Sequence, residues 1–297
     1  MSAGFESYLT DRAQRVDLAL DRFLPAETVA PETIHKAMRY SVFAGGKRLR
    51  PVLVIAGAEA VGGRMDDVIQ TGCALEMIHS YPLIHADLPP MDNDAFRRGR
   101  PTSHKVFGEA MAILAGDGLL TLAFRLIAEN WRPAMDARVL RDVLVDVSDA
   151  AGTDGMVGGQ VADLEAEGRR VSPDMLEYIH LHKTAALIRT SIRVGARLSN
   201  AREDQLRALT VAGGDLGLAF QIVDDILDVT GTTEQLGKTA GKDQAQQKAT
   251  YPAIHGIEAS QAQAARLVGE ALHALAPLGP PAEPLRALAR FILERKA

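Results

Sequence analysis

The stretch Phe220-Gln221-Ile222-Val223-Asp224-Asp225-Ile226-Leu227-Asp228 puts three carboxylates into an apolar helical pattern. Asp224 and Asp228 are four apart and share one helix face, with Asp225 beside them. Buried without partners, such groups repel one another and resist ionisation. A hard divalent cation removes that cost, and Mg2+ favours carboxylates completed by substrate phosphates. A second acidic cluster, Asp87, Asp92 and Asp94, lies far upstream among basic residues. Two separated carboxylate clusters with Lys and Arg around them point to a metal-bridged polyphosphate substrate.

Outward from that stretch, the rest of the chain reads as helix. Apolar residues make up 47% of the 297 residues and aromatics only 5%, a balance rich in Ala and Leu that favours helix over sheet. Apolar stripes and Gly or Pro breaks predict helices over 3–23, 33–44, 50–62, 67–87, 104–129, 134–150, 153–166, 173–196, 202–230, 253–276 and 283–295. Asp66 is placed to cap the fourth of these. The segments 89–102 and 231–251 read as loops. No period-two pattern persists and no composition break divides the chain, so the expectation is one all-α domain over 1–297.

The net charge of −5 gives no general pull toward nucleic acid or anionic membrane. The N-terminal MSAGFESYLTDRAQR is too charged for a signal-peptide core. No run approaches 18 uncharged apolar residues, so no membrane span is expected. The single Cys73 excludes an internal disulfide and fits a reducing, cytoplasmic compartment. Scattered His residues and one Cys do not make a zinc site.

Three segments carry candidate chemistry. In 67–87, Glu76, His79 or Ser80, Leu83 and Asp87 recur at three- and four-residue steps, a largely polar stripe aimed at the loop that carries Asp92. Asp87 and Asp92 converge only if Pro89-Pro90 bend the chain. The segment Gly45-Gly46-Lys47-Arg48-Leu49-Arg50-Pro51 is basic and flexible. Gly46 lets backbone approach phosphate oxygens, Arg50 offers a bidentate fork and Lys47 a point charge. The adjacent Arg97 and Arg98 diverge, so they can serve two phosphate groups.

GGKRLRP at 45–51, EMIHSY at 76–81, the acidic region at 86–98, GMVGGQVADL at 155–164, HKTAALI at 182–188, GLAFQIVDDILDVTG at 217–231 and GKTAGKDQAQQKATYP at 237–252 form an ordered set. With it the chain closely resembles the short-chain trans-prenyl diphosphate synthases, above all the bacterial farnesyl diphosphate synthases. The resemblance implies an isoprenoid synthase fold around a deep central cavity, usually as a homodimer. It implies Mg2+, three ions once substrate is bound, with Mn2+ an alternative. It implies head-to-tail transfer of an allylic diphosphate onto isopentenyl diphosphate. By position, Gly46, Lys47, Arg50, His79 and Arg98 correspond to the isopentenyl diphosphate site, and Arg97, Lys183 and Lys238 to the holders of the allylic diphosphate. Thr184 and Gln221 correspond to stabilisers along the cation path. Asp92 and Asp224 correspond to the principal metal ligands, with Asp87 a further candidate and Asp228 acting through water.

One departure stands out. The family's first acidic region begins Asp-Asp after Ile-His, whereas here Ile84-His85 are followed by Ala86-Asp87. A methyl group occupies the position of the first metal-bridging aspartate, and Asp87 lies about 100° further round the helix. Pro82 is also unusual and is expected to kink its helix. Tyr81, five residues before Ala86, is about 7.5 Å down the helix axis. The resemblance makes its ring the floor that stops elongation at fifteen carbons; the other reading is an ordinary core Tyr. Two functions stay open: a farnesyl diphosphate synthase impaired by Ala86, and a weakly active or non-catalytic subunit that binds prenyl diphosphates.

Overall fold

Helix α3 (Leu49–Glu59) is apolar on nearly every side, and Pro51 through Ala58 are buried. A helix of that kind belongs inside an assembly. The computed structural model, described for residues 3–169, 171–230 and 250–295, places it there. Its partner is α10 (Ala186–Leu198), which lies so close that a Cβ on Gly57 would fall 2.2 Å from the Ile192 carbonyl oxygen. The two helices run in the same direction, since Gly57 meets Ile192 and Gly63 meets Ser199.

This pair separates two cores. Val54, Ile55, Ala58, Leu187 and Val194 face one, built with α1 (Ala3–Phe23), α2 (Glu32–Val42), α4 (Met65–Ala86), α6 (Glu109–Glu129) and α7 (Ala137–Ala151). Leu53, Ala56, Ile188 and Ile192 face the other, built with α11 (Glu203–Thr230), α13 (Ile257–Leu275) and α14 (Glu283–Glu294). Helix α4 runs opposite to α3, with Gly72 against Pro51. Helix α11 runs opposite to α10, with Gly213 against Arg189 and Gly217 against Ala185. The beginnings of α3 and α10 and the ends of α4 and α11 therefore gather at one end. Both acidic clusters and both basic segments sit on those four ends.

The helical reading holds, with local differences. Gly108, at φ 85°, breaks the predicted 104–129 helix into α5 (Ser103–Phe107) and α6. Gly256, at φ 82°, likewise sets a short α12 (Tyr251–His255) before α13. Left-handed backbone ends a helix locally, and a hydrophobic stripe continues across it undisturbed. The predicted 173–196 helix contains a π turn, His180–Ala185, between α9 (Pro173–Ile179) and α10. The segment 153–166 is helical from Met156 to Ala166, α8. Asp66 is not the cap of α4: the helix begins at Met65 behind Arg64, and Asp66 lies in its first turn, where its charge faces the helix's positive end. Pro82 does not interrupt α4. The 89–102 loop holds a two-residue antiparallel ribbon, Phe96–Arg97 with Arg100–Pro101. Residues 231–249 of the second predicted loop lie outside the described residues.

By length and mean hydropathy α6 and α11 reach the range of a membrane span. Helix α11 spends that apolar content against α10 and α13. Helix α6 packs on α4 and leaves Ile113 and Leu114 exposed.

Candidate active site

Pro89 and Pro90 end α4, and the chain then winds back on the helix. The Asp92 N–H donates to Ala86 O at 2.9 Å, Asn93 N–H to Leu88 O at 3.1 Å and Asp94 N–H to Asp87 O at 3.1 Å. Asp92 thus sits beside Ala86, as the sequence requires for a shared site. Asp87 points elsewhere. Its buried carboxylate takes a two-pronged grip from Arg97, with Nη2 to Oδ1 at 2.7 Å and Nε to Oδ2 at 3.1 Å. Burial pushes the Asp87 carboxyl above its usual range, and Arg97 works against that rise. Arg97 is also 3.8 Å from Asp94. The two residues expected to hold a metal and a phosphate here hold each other.

The start of α3 lies beside this loop. Arg50 Nη1 is 3.2 Å from His79 Nε2. Arg98 donates to the Gly45 carbonyl, and a Cβ on Gly46 would lie 2.6 Å from its guanidinium. Gly46, at φ 128°, is thus needed twice, for its backbone and for the arginine stacked over it. Lys47 extends over the Phe291 ring, 5.9 Å from its centre. Burial and the positive charges of Arg50, Arg98, Arg97 and Arg48 hold the His79 imidazole well below its ordinary pKa. Of these arginines, Arg50 touches the ring, whereas Arg48 and Arg97 are paired with carboxylates. Arg50 also feels Glu76 and Asp224, so the end of α11 is within its electrostatic reach.

Sequence reasoning passed over Arg48. It has a left-handed backbone, φ 51°, and its buried side chain bonds Asp17 at 2.7 Å and Glu76 at 2.9 Å. Glu76 was the available signal, because a carboxylate in an apolar helix needs a partner.

The other half of the site is built by the π turn against α8 and α11. A Cβ on Gly159 would fall 2.3 Å from the Lys183 nitrogen, and one on Gly217 would fall 2.6 Å from Ala185 Cα. These contacts seat Lys183 and Thr184. Lys183 Nζ donates to Asp163 at 2.6 Å. Thr184 Oγ1 donates to Gln221 Oε1 at 2.8 Å, and Gln221 Nε2 donates to Asp225 Oδ1 at 2.9 Å. Asp224 meets Arg295 at 2.6 Å, and that guanidinium also covers the Phe220 ring. Nothing in the sequence around Arg295 signalled this contact. Asp228 is buried one turn on. Lys238 lies outside the described residues.

The acidic groups are all-oxygen donors, the set that suits Mg2+. Among the described residues no three His, Cys, Asp or Glu side chains gather closely enough to hold an ion by themselves. Asp92 and Asp228 would hold the metal, with Asp224 once Arg295 lets go and Asp87 once Arg97 does.

A cavity of about 40 Å³ lies where Ser80, Leu83, Asp87, Arg97 and Arg98 meet the end of α2. Tyr81 is buried in the core beneath, its ring edge-on to His85 at 5.8 Å. A more open groove of about 650 Å³ between the end of α1 and α6 contains none of the candidate residues.

The chain matches the family model described as polyprenyl synthetase over residues 31–274. It is 47% identical to a dimethylallyltranstransferase of Fischerella ambigua over 289 residues, 97% of this chain and 83% of that protein. It is 49% identical to a farnesyl diphosphate synthase of Geobacillus stearothermophilus over 249 residues, 84% of each. Among solved structures, geranylgeranyl pyrophosphate synthetase of Pyrococcus horikoshii superposes with a TM-score of 0.90 at 31% identity, covering 99% of both chains.

Proposed function

The chain belongs to the polyprenyl synthetase family, the trans-prenyl diphosphate synthases, and on that premise we propose that it condenses isopentenyl diphosphate with dimethylallyl or geranyl diphosphate to give farnesyl diphosphate. The observation that carries the reading is Arg50 at 3.2 Å from His79, with Arg98 beside them over Gly46. Like charges so placed favour a polyanion in their midst. Lys47, Arg50 and Arg98 with His79 bind the isopentenyl diphosphate. Arg97, Lys183 and Lys238 bind the allylic diphosphate. Mg2+, three ions with substrate bound, supplies charge neutralisation at the departing diphosphate. Asp92, Asp224 and Asp228 would hold it, and Arg97 would exchange Asp87 for phosphate when substrate is bound.

Thr184 and Gln221 are the stabilisers along the cation path: Thr184 turns oxygen lone pairs toward the allylic carbon as positive charge develops there, and Gln221 Oε1 holds the Thr184 proton. The apolar surroundings exclude the water that would capture it. Tyr81 closes the path of the growing chain at fifteen carbons, supported by its burial one and a half turns below Ala86. The homodimer is supported by the apolar side chains that α6 leaves exposed, Ile113 and Leu114. The cytoplasm is the compartment this reading assigns, consistent with a single, buried Cys73.

One observation favours a second reading. Residue 86 is a methyl group, and Asp87 and Asp224 are each engaged by an arginine. A chain of that kind binds prenyl diphosphates yet turns them over slowly or not at all, as a regulatory subunit would. Incubation with isopentenyl and dimethylallyl diphosphates, with calorimetric titration of both, separates the two. Farnesyl product supports the enzyme. Micromolar binding without product supports the regulatory subunit. Absence of both overturns the site.

A further inference from the structure

Asp225 is the carboxylate of the 224–228 cluster to which the ligand assignment gives no task. Its side chain is 6% exposed; hydrogen bonds reach it from Gln221 and Tyr251, and His180 approaches it from a third element. Oδ1 accepts Gln221 Nε2–H at 2.9 Å. Oδ2 accepts the backbone N–H of Tyr251 at 2.8 Å and lies 3.3 Å from His180 Nε2. His180 is itself buried, its ring 6.1 Å from the Tyr251 ring with the planes 24° apart.

These contacts settle the direction of every hydrogen bond that follows. A carboxylate only accepts, so Gln221 must turn its NH2 end toward Asp225. Its carbonyl oxygen then faces Thr184 Oγ1 at 2.8 Å. That oxygen also only accepts, so the single hydroxyl proton of Thr184 is committed to it. What Thr184 presents elsewhere is lone pairs alone. A neutral hydroxyl free to rotate could equally present its proton, which would repel a developing cation.

We propose that Asp225, held by His180 and the Tyr251 N–H, is a positioning residue that fixes the Thr184 hydroxyl as a pure acceptor toward the allylic carbon. The inference rests on the reading of Thr184 as a stabiliser of the cation path. The backbone is built for it. The π turn carries His180 at one end and Thr184 near the other, and π turns concentrate at functional sites. Gly217 lets that turn approach α11 within one hydrogen bond of Gln221. Asp225 thereby acts through two intermediaries and touches neither substrate nor metal.

Asp225→Asn is the test. The Tyr251 N–H cannot turn away, so the new amide keeps its oxygen there and offers NH2 to Gln221. Gln221 then flips, its NH2 occupies a Thr184 lone pair, and the Thr184 proton swings out. The single-turnover rate constant with excess protein is expected to fall about 10- to 100-fold, the scale of one misaimed transition-state dipole. Both diphosphate dissociation constants and the midpoint of the Mg2+ dependence should stay within about twofold, since uniform binding is untouched. In a Thr184→Val background the same change should alter the rate by less than about twofold, because the line it acts through is already cut. In a 15N-labelled sample, the Gln221 side-chain NH2 signal should move upfield on losing its carboxylate. Its disappearance in Gln221→Leu identifies it, and this readout stands whether or not the chain turns over.

Additive losses in the two backgrounds, a shifted Mg2+ midpoint, or an unmoved NH2 signal would each overturn the inference. Thr184→Val at full rate would instead overturn the reading of Thr184. Should Asp225→Asn fail to fold, Gln221→Leu cuts the same line and must show the same non-additivity with Thr184→Val.

Discussion

Restoring a carboxylate at position 86 tests the proposed metal site most directly. Ala86 is seven residues beyond His79, so both lie on one face of α4. The Asp92 N–H bonds the Ala86 carbonyl, which puts the two residues side by side. Ala86→Asp therefore sets a second carboxylate near Asp92, and two unit charges about 6 Å apart repel by about 0.7 kcal/mol in water and about 3 kcal/mol at an effective dielectric constant of 20. Without metal the variant should lose about 1 kcal/mol of stability, a fall of about 2 °C in melting temperature for a domain of this size. Mg2+ with a non-reactive allylic diphosphate analogue should restore it and more. A metal ligand that stabilises departing charge is worth roughly 3–4 kcal/mol, and at 1.36 kcal/mol per decade the variant should turn over about 10²- to 10³-fold faster at saturating Mg2+. Steady-state turnover against Mg2+ concentration, beside melts with and without the ion, measures both. A rate change under twofold together with no Mg2+-dependent recovery would show that residue 86 does not face the metal, and the reading of Ala86 as a lost ligand would fail.

In an Ala86→Asp background, Tyr81→Ala should lengthen products beyond fifteen carbons while leaving both diphosphate ends in place; chromatography of dephosphorylated products reports it, and unchanged length makes Tyr81 a core residue only. Arg50→Ala should weaken isopentenyl diphosphate binding by at least about 1.5–3 kcal/mol, the scale of charge-assisted bonds, with the allylic partner little affected; calorimetric titration of each substrate separates the two. His79 is held neutral in the fold, so the unfolded chain takes up a proton first as pH drops below about 6.5, and stability falls with it by about 1.4 kcal/mol per pH unit until the depressed folded value is reached. Urea midpoints at pH 7.5 and 5.5 should therefore differ less in His79→Asn than in the parent chain, and parallel profiles would contradict the assignment. Glu76→Leu leaves buried Arg48 with Asp17 alone and should cost about 3 kcal/mol of unfolding free energy; a loss under 1 kcal/mol would mean that Asp17 compensates.

The helices were legible because their signal is local. Apolar spacing around Phe5, Val16 and Leu20 marks a buried face, and each is buried. The site's location followed from carboxylates in places where an apolar helix has no other use for them, and the ordered motifs identified the family without any contact being known. The Gly108 and Gly256 breaks and the π turn were hidden because backbone sign and an inserted residue hardly disturb hydrophobic periodicity.

Partnership is what the sequence left undetermined. Read along the chain, Asp87 is a metal ligand and Arg97 a phosphate holder; in the fold they grip each other, and Arg295 reaches Asp224 from a helix far along the chain. Asp225 reads only as a carboxylate beside Asp224, and the 100° of helix rotation between neighbours turns it to Gln221, Tyr251 and His180. Periodicity and spacing determined that carboxylates share helix faces beside basic segments, because they decide which residues share a face, and the ordered motifs added the Thr-Gln pair through the family resemblance. The tertiary structure alone decided which charge answers which. An ion pair depends on a few ångströms of approach between elements that the chain brings together only after it has folded.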